Sequence, residues 1–209
     1  ATMFVGAYMA ISKKDLKGIL ANTTVSALGM LTLLIGIDTR LSIKAALLFL
    51  IIHSLYKANL FMIAGAIDKK TGTRDISKLG GLIRRMPVAS VSAIVALFSM
   101  SGLPPMLGFI GKEIIYEAKL QTPGIFNPVL ILGVTANIFM VWISALFIYR
   151  VFLGEPAKNV LKKGRPGFAL VIGPVFFAIL TLVFGLFPRL LGERILEPAL
   201  IASRVEILD

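Results

Sequence analysis

Residues 49–62 read FLIIHSLYKANLFM, an apolar run interrupted by one imidazole and one ammonium. His53 is the only histidine of the chain, Lys57 follows one helical turn later, and no acidic residue occurs between Leu41 and Ile67. The run continues over 42–67, longer than the roughly 20 residues that cross a bilayer core. At this spacing the two side chains share one helix face. A lysine near the centre of a membrane helix costs on the order of 2.5–3.5 kcal/mol on insertion scales. Lys57 lies about fifteen residues into the run, out of easy reach of either interface. An imidazole exchanges protons around neutrality. The pair therefore points to proton handling. The plainer alternative has His53 hydrogen-bonding a neighbouring helix while Lys57 pairs with a buried carboxylate.

The whole composition agrees with a membrane setting. The 209-residue chain is 57% hydrophobic, with a mean hydropathy of +0.89, whereas soluble domains sit near about 45–50% apolar. The absence of cysteine excludes disulfides, cysteine–zinc sites and thiolate chemistry. One histidine excludes a multi-histidine metal centre, and no metal or cofactor is expected. The net charge of +11 comes from basic residues clustered at the ends of apolar runs. Such residues snorkel and set topology, which leaves no soluble basic surface for nucleic acid. The opening ATMFVGAYMAI has neither a charged n-region nor a cleavage motif, so it reads as the tail of a helix in a fragment of a longer chain.

Breakers divide the remainder into helices. A truncated helix ends near Ser12, followed by the polar junction SKKDLKG and a run over 18–37. Ser42 is expected to cap the run over 42–67. The segment DKKTGTRDISKLGGLIRR forms a polar connection, and Pro87 sits in the first turn of the run over 86–103. A short half-helix over 106–120 follows, then runs over 127–153 and 167–188 separated by EPAKNVLKKGRPG. Grouping 13–17, 68–85, Lys119, Arg189 and Arg194 on one side leaves Arg40, Lys44 and 150–165 on the other. The first side is the more basic and is expected to be cytoplasmic.

A second costly feature is SMSGLPPMLGFIGKEIIYEAKL, residues 99–120. Pro104 and Pro105 remove two backbone donors, and nearby glycines loosen the flanks. A helix break at membrane depth is tolerated only where it faces protein or a water-filled cavity. Transporters build ion sites from such breaks. Lys112 follows the break, Glu113 is its possible charge partner, and Glu117 and Lys119 are expected at the interface. Lys17 is either a flanking charge or a functional one. Asn22, Thr23, Thr24, Ser26, Gly29 and Asn137 are expected to serve close helix packing.

The segments KKDLKGILANTTVSALG, HSLYKANLFMIAG, TGTRDISKLGGL and SGLPPMLGFIGKE occur in that order. Together they resemble the antiporter-like membrane subunits shared by respiratory complex I, membrane hydrogenases and Mrp multisubunit cation/proton antiporters. The connection GAIDKKTGTRDISKLGGLIRRMP is most similar to the large A subunit of Mrp-type Na+/H+ antiporters. The resemblance implies an all-α, polytopic transmembrane helix bundle with a discontinuous helix. Residues 1–153 would form the second five-helix inverted repeat of the module, its first helix truncated, and 154–209 the following transmembrane helix and C-terminal segment. It further implies a hydrated proton path along Lys17, His53, Lys57 and Lys112, beside the helix break at Pro104 and Pro105. The 68–85 loop would be a hairpin on the outer face, against the charge distribution. Relatives in complex I often carry another histidine where this chain has Phe49, and the first repeat is absent.

The implied function is that of a membrane subunit of a multisubunit cation/proton antiporter. Protons moving through the Lys/His-lined half-channel would drive Na+ efflux, in a secondary transporter subunit rather than an enzyme. Its partners would be other membrane subunits, protons, Na+ and the lipid bilayer of a prokaryotic plasma membrane. The alternatives are a proton-pumping antiporter-like subunit of complex I or a membrane hydrogenase, and a structural membrane scaffold.

Overall fold

The polar junctions decide where the helices start and stop. In a computed structural model describing residues 1–120, 126–155 and 167–202, helix α1 (Thr2–Ser12) gives way to an extended turn at Lys13. The Asp15 carboxylate accepts the Gly18 amide at 2.8 Å and caps α2 (Leu16–Ile37). It thereby satisfies one of the amides left free at a helix N-terminus. Helix α3 (Arg40–Thr71) begins with a reciprocal cap: Thr39 accepts the Ser42 amide at 3.1 Å, and Ser42 accepts the Thr39 amide at 2.9 Å. Thr39 is thus the capping residue, and Ser42 completes the box from the third helical position.

Helix α3 has 32 residues, about 48 Å at ~1.5 Å per residue. That exceeds the roughly 30 Å hydrocarbon core. Its last turn, with Lys69 and Lys70, stabilises the negative end of the helix dipole before Gly72 turns at φ 74°. The following connection is not a β-hairpin among the described residues. Its bridge instead joins Asp75 to Asp15. Leu16 donates to the Arg74 carbonyl and Ile76 to the Lys14 carbonyl, both at 2.9 Å. The Arg74 guanidinium lies 3.1 Å from Asp15 and 3.9 Å from Asp68. The backbone of the 68–85 segment thus finds its partners on the α1–α2 junction.

Helix α4 (Leu82–Arg85) leads into α5 (Pro87–Ser101), with proline at its first position. The chain breaks over 102–106, with a cis bond between Pro104 and Pro105, and resumes as α6 (Leu107–Leu120). At 15 and 14 residues, neither half reaches the roughly 20 needed to span alone. Ile115 and Ala118 pack with Leu34, Ala45 and Ala46, beside the α2–α3 turn. The two halves therefore make one crossing that continues in the same direction through the break.

Helix α7 (Phe126–Phe147) returns and ends in a π-helical stretch over Ile148–Leu153, and the Glu155 carbonyl lies against Gly80. Lys119 is accordingly on the Arg40 side and 150–155 on the side of the 68–85 connection, reversing the grouping expected for both. The basic loop over 156–166 lies outside the described residues.

Helix α8 (Phe168–Leu186) runs back along α3 and α5 with Pro174 inside it. Asn59 on α3 donates to the Pro174 carbonyl at 2.7 Å and to Ser92 on α5 at 2.9 Å. The chain then continues through α9 (Pro188–Leu191), a π-helical turn over Gly192–Leu196 and α10 (Glu197–Ala202). Leu191 and Leu196 join the central cluster with Leu20, Leu60, Leu97 and Phe147. Outward faces carry Leu28, Leu50, Val91, Ile138 and Phe176, all exposed, as a lipid-facing surface requires. Among the described residues, four helices are long and apolar enough to cross a membrane, and the broken α5–α6 pair adds a crossing.

Candidate functional site

Lys57 leaves the buried face of α3 and reaches α2. It is 6% exposed, and its ammonium donates to the Leu20 carbonyl at 2.6 Å and to the Thr23 hydroxyl. Thr23 in turn donates to the same carbonyl at 2.9 Å, as does Thr24 at 3.0 Å. The Phe61 ring lies 5.9 Å from the ammonium. These are neutral partners, not the buried carboxylate that a purely structural lysine would call for. His53 is also buried, but among the described residues no hydrogen bond joins it to Lys57. Its Nδ1 lies 2.8 Å from the Tyr56 hydroxyl, which can donate to a neutral ring nitrogen or accept from a protonated one.

Lys112 stands on the second half of the broken helix. Gly102 ends α5 at φ 75°, and a Cβ there would overlap the Lys112 stem. The lysine folds back over the break, and its ammonium donates to the Ser101 carbonyl and to Asn137 Oδ1 on α7. Carbonyls at a helix C-terminus have no partner within the helix, so the break itself provides an acceptor. Glu113, expected as the charge partner, is exposed and makes no ion pair with Lys112 among the described residues. Adjacent helical positions point about 100° apart, so Glu113 turns away as Lys112 turns in.

Between these two lysines lies a cavity of about 60 Å³ bordered by Thr23, Tyr56, Lys112, Tyr116 and Asn137. At about 10–15 Å³ of such space per water, it has room for several. Lys57 reaches its edge through Thr23, His53 through Tyr56, and Lys112 directly. Lys17 is half-buried in the first turn of α2, one turn before Leu20, and does not line the cavity. Of the four lysine and histidine positions, the structure thus places Lys112 in the cavity wall, Lys57 and His53 behind it with Thr23 and Tyr56 in between, and Lys17 away from it.

Four residues at the cavity had no role in the sequence reading, or only a packing one: Thr23, Tyr56, Tyr116 and Asn137. Thr23 and Asn137 stood out as polar residues in apolar helices, but nothing local showed that each faces a lysine. Lys119 is the larger surprise. Expected at the interface, it is 3% exposed, because it shares an inward stripe of α6 with Lys112 and Tyr116. Its ammonium sits 5.5 Å from the Tyr116 ring centre.

Residues 1–140 match the family described as NADH:quinone oxidoreductase/Mrp antiporter, TM. The chain belongs to this family. Within it, the chain is 39% identical over 223 residues to Na+/H+ antiporter subunit A1 of Staphylococcus haemolyticus, covering 95% of this chain and 28% of that protein. It spans less than a third of the length of the curated relatives it matches. Among solved structures, the Mrp complex from a Dietzia species superposes with a TM-score of 0.82 at 22% identity, over 98% of this chain and 47% of that one. Complex I from Thermus thermophilus superposes at 0.81 and 25% identity, over 96% and 42%. The chain is a multi-pass, all-α membrane protein, as its motifs indicated.

Proposed function

We propose that this chain is part of a membrane subunit of a Na+/H+ antiporter, in which Lys57 and Lys112 pass protons across the cavity between them. The single observation carrying the reading is that Lys112 borders the cavity and Thr23, which holds Lys57, borders it from the other side. Both ammoniums are bound by neutral oxygens, so each can lose its proton without stranding a buried carboxylate. When Lys57 is neutral, the Thr23 hydroxyl can turn from the Leu20 carbonyl and donate to the amine, making the hydroxyl a two-way contact. Water in the cavity would bridge to Lys112. The ammoniums repel across a low-dielectric space, so protonation of one favours release from the other. His53 adds an imidazole, a group able to take up and release a proton, linked through Tyr56. Lys17 would serve as a rim station, positioned by the Asp15 cap.

Residues 1–153 then correspond to a five-helix repeat, and 154–209 to the next transmembrane helix and a C-terminal segment, as the motif order implied. The likeness in sequence to antiporter A subunits favours Na+ exchange in a bacterial plasma membrane, alongside other membrane subunits, over a redox-coupled pump. The test is Na+-driven proton movement in vesicles holding the whole complex, with assembly checked by co-purification. Lys57→Ala should abolish exchange while the complex still assembles. Lys57→Arg should also abolish it, because a guanidinium holds its proton. Near-normal exchange by an assembled Lys57→Ala complex would refute the relay.

A further inference from the structure

Lys119 is a buried cation that the Lys57–Lys112 path does not use. Three observations set it apart. Its Nζ has no hydrogen-bond partner among the described residues. It lies on the α6 stripe that carries Lys112 and Tyr116, seven residues beyond Lys112, or about 10 Å along the axis. Facing it on α7 is Gly133, one turn before Asn137, and a Cβ at Gly133 would overlap the Lys119 ammonium. Gly133 also borders the central cavity. The glycine is therefore the gap through which the lysine head reaches the cavity wall.

We infer that Lys119 is a further proton-carrying station, leading from Lys112 towards the end of the bundle at the α2–α3 turn. The inference rests on the proposed Lys57–Lys112 relay. A buried ammonium without an acceptor is costly, and that cost is relieved if the group releases its proton or meets water. Tyr116 stands between the two lysines on α6 and borders the cavity together with Asn137, whose side chain also holds Lys112. The order Lys112, Asn137, Tyr116, Lys119 is a line of exchangeable groups with no carboxylate in it. It runs along α6 away from the break, the direction needed if the cavity is to open on the Arg40 side. The proton moves as such, from ammonium to water or hydroxyl, with no electron transfer.

The test compares Lys119→Met, Lys119→Arg and Gly133→Ala in vesicles containing the whole complex. Both Lys119 variants should slow exchange by tenfold or more. Arg keeps the charge but not the ability to release a proton, so exchange near the native rate in Lys119→Arg would make the lysine a fixed charge and overturn the inference. Native exchange in Lys119→Met would overturn it equally. Gly133→Ala retains every titratable group and displaces only the flexible lysine head. It should slow exchange severalfold, and it decides the matter if neither Lys119 variant assembles: an unchanged rate then overturns the inference. Lys112→Ala run in parallel separates the two readings. If it is silent too, the relay itself fails; if it abolishes exchange while Lys119 variants are silent, only the role of Lys119 fails.

Discussion

Lys57 and Lys112 solve one problem in two ways. Lys57 lies on an uninterrupted helix and borrows its acceptors from a neighbour, where the Leu20 carbonyl already receives Thr23 and Thr24. Lys112 lies beyond a helix break and takes a carbonyl that the break has released, with Asn137 as its second partner. An intact helix must share a carbonyl that its own ladder uses. A broken one has a carbonyl to spare. The lesson is that a break in a membrane helix can act as an acceptor for a cation, and not only as a hinge.

The strongest way to break this comparison is at Gly102. Gly102→Val places a branched side chain at φ 75° and into the Lys112 stem. The left-handed backbone alone costs about 1–2 kcal/mol, and the lysine must leave the break. Exchange should fall by roughly a hundredfold in assembled complexes if losing both partners costs Lys112 about 3 kcal/mol. The next test sets Thr23→Val against Asn137→Leu, each of which removes one of two partners from a buried ammonium. A hydrogen bond to a charged group contributes about 1.5–3 kcal/mol, so each variant should slow exchange at least about tenfold. Thr23→Val should be the worse, because Lys57 is left with a shared carbonyl while Lys112 keeps a free one. Equal effects would show that the released carbonyl confers no advantage. Thr23→Ser, which restores the hydroxyl, should recover most of the rate.

The smallest effect belongs to the connection outside the membrane. Asp75 accepts the Ser77 hydroxyl at 2.6 Å and its amide at 2.9 Å, and these bonds hold its carboxyl below the usual carboxylate range. With the folded value depressed, the local contribution is present above the ordinary carboxylate pKa and fades as pH falls through the folded one. Ser77→Ala should raise the Asp75 titration midpoint, read by NMR, and leave exchange near neutral pH unchanged. A large loss of exchange would show that this loop reaches the path more directly than the Asp15–Asp75 bridge suggests.

How much of this was readable from the residues depends on the range of each interaction. The break at Pro104–Pro105 and the α5 start at Pro87 were legible because proline acts on its own backbone. The burial of Lys57 was legible because the length of its apolar run left it nowhere else to go. The cap at Thr39 was misplaced by three residues, since Thr39 and Ser42 both fit the local pattern. The pairing of Lys112 with Glu113 was wrong because nearness in sequence sets adjacent helical side chains on different faces. Thr23 and Asn137 could not be paired with their lysines without knowing which helices touch. Lys119 was hidden for the same reason: its burial depends on Gly133, which lies on the next helix.

The bridge between the 68–85 connection and the α1–α2 junction has a consequence for an organism facing changing salinity. Its ion pair, Arg74 with Asp15, is half-exposed on both sides; such pairs contribute at most about 1 kcal/mol and are screened as salt rises. The amide bonds from Leu16 to Arg74 and from Ile76 to Lys14 carry no net charge and are not screened in this way. The alignment of α2 with the end of α3, and with it the meeting of Thr23 and Lys57, therefore rests on contacts that brine does not loosen.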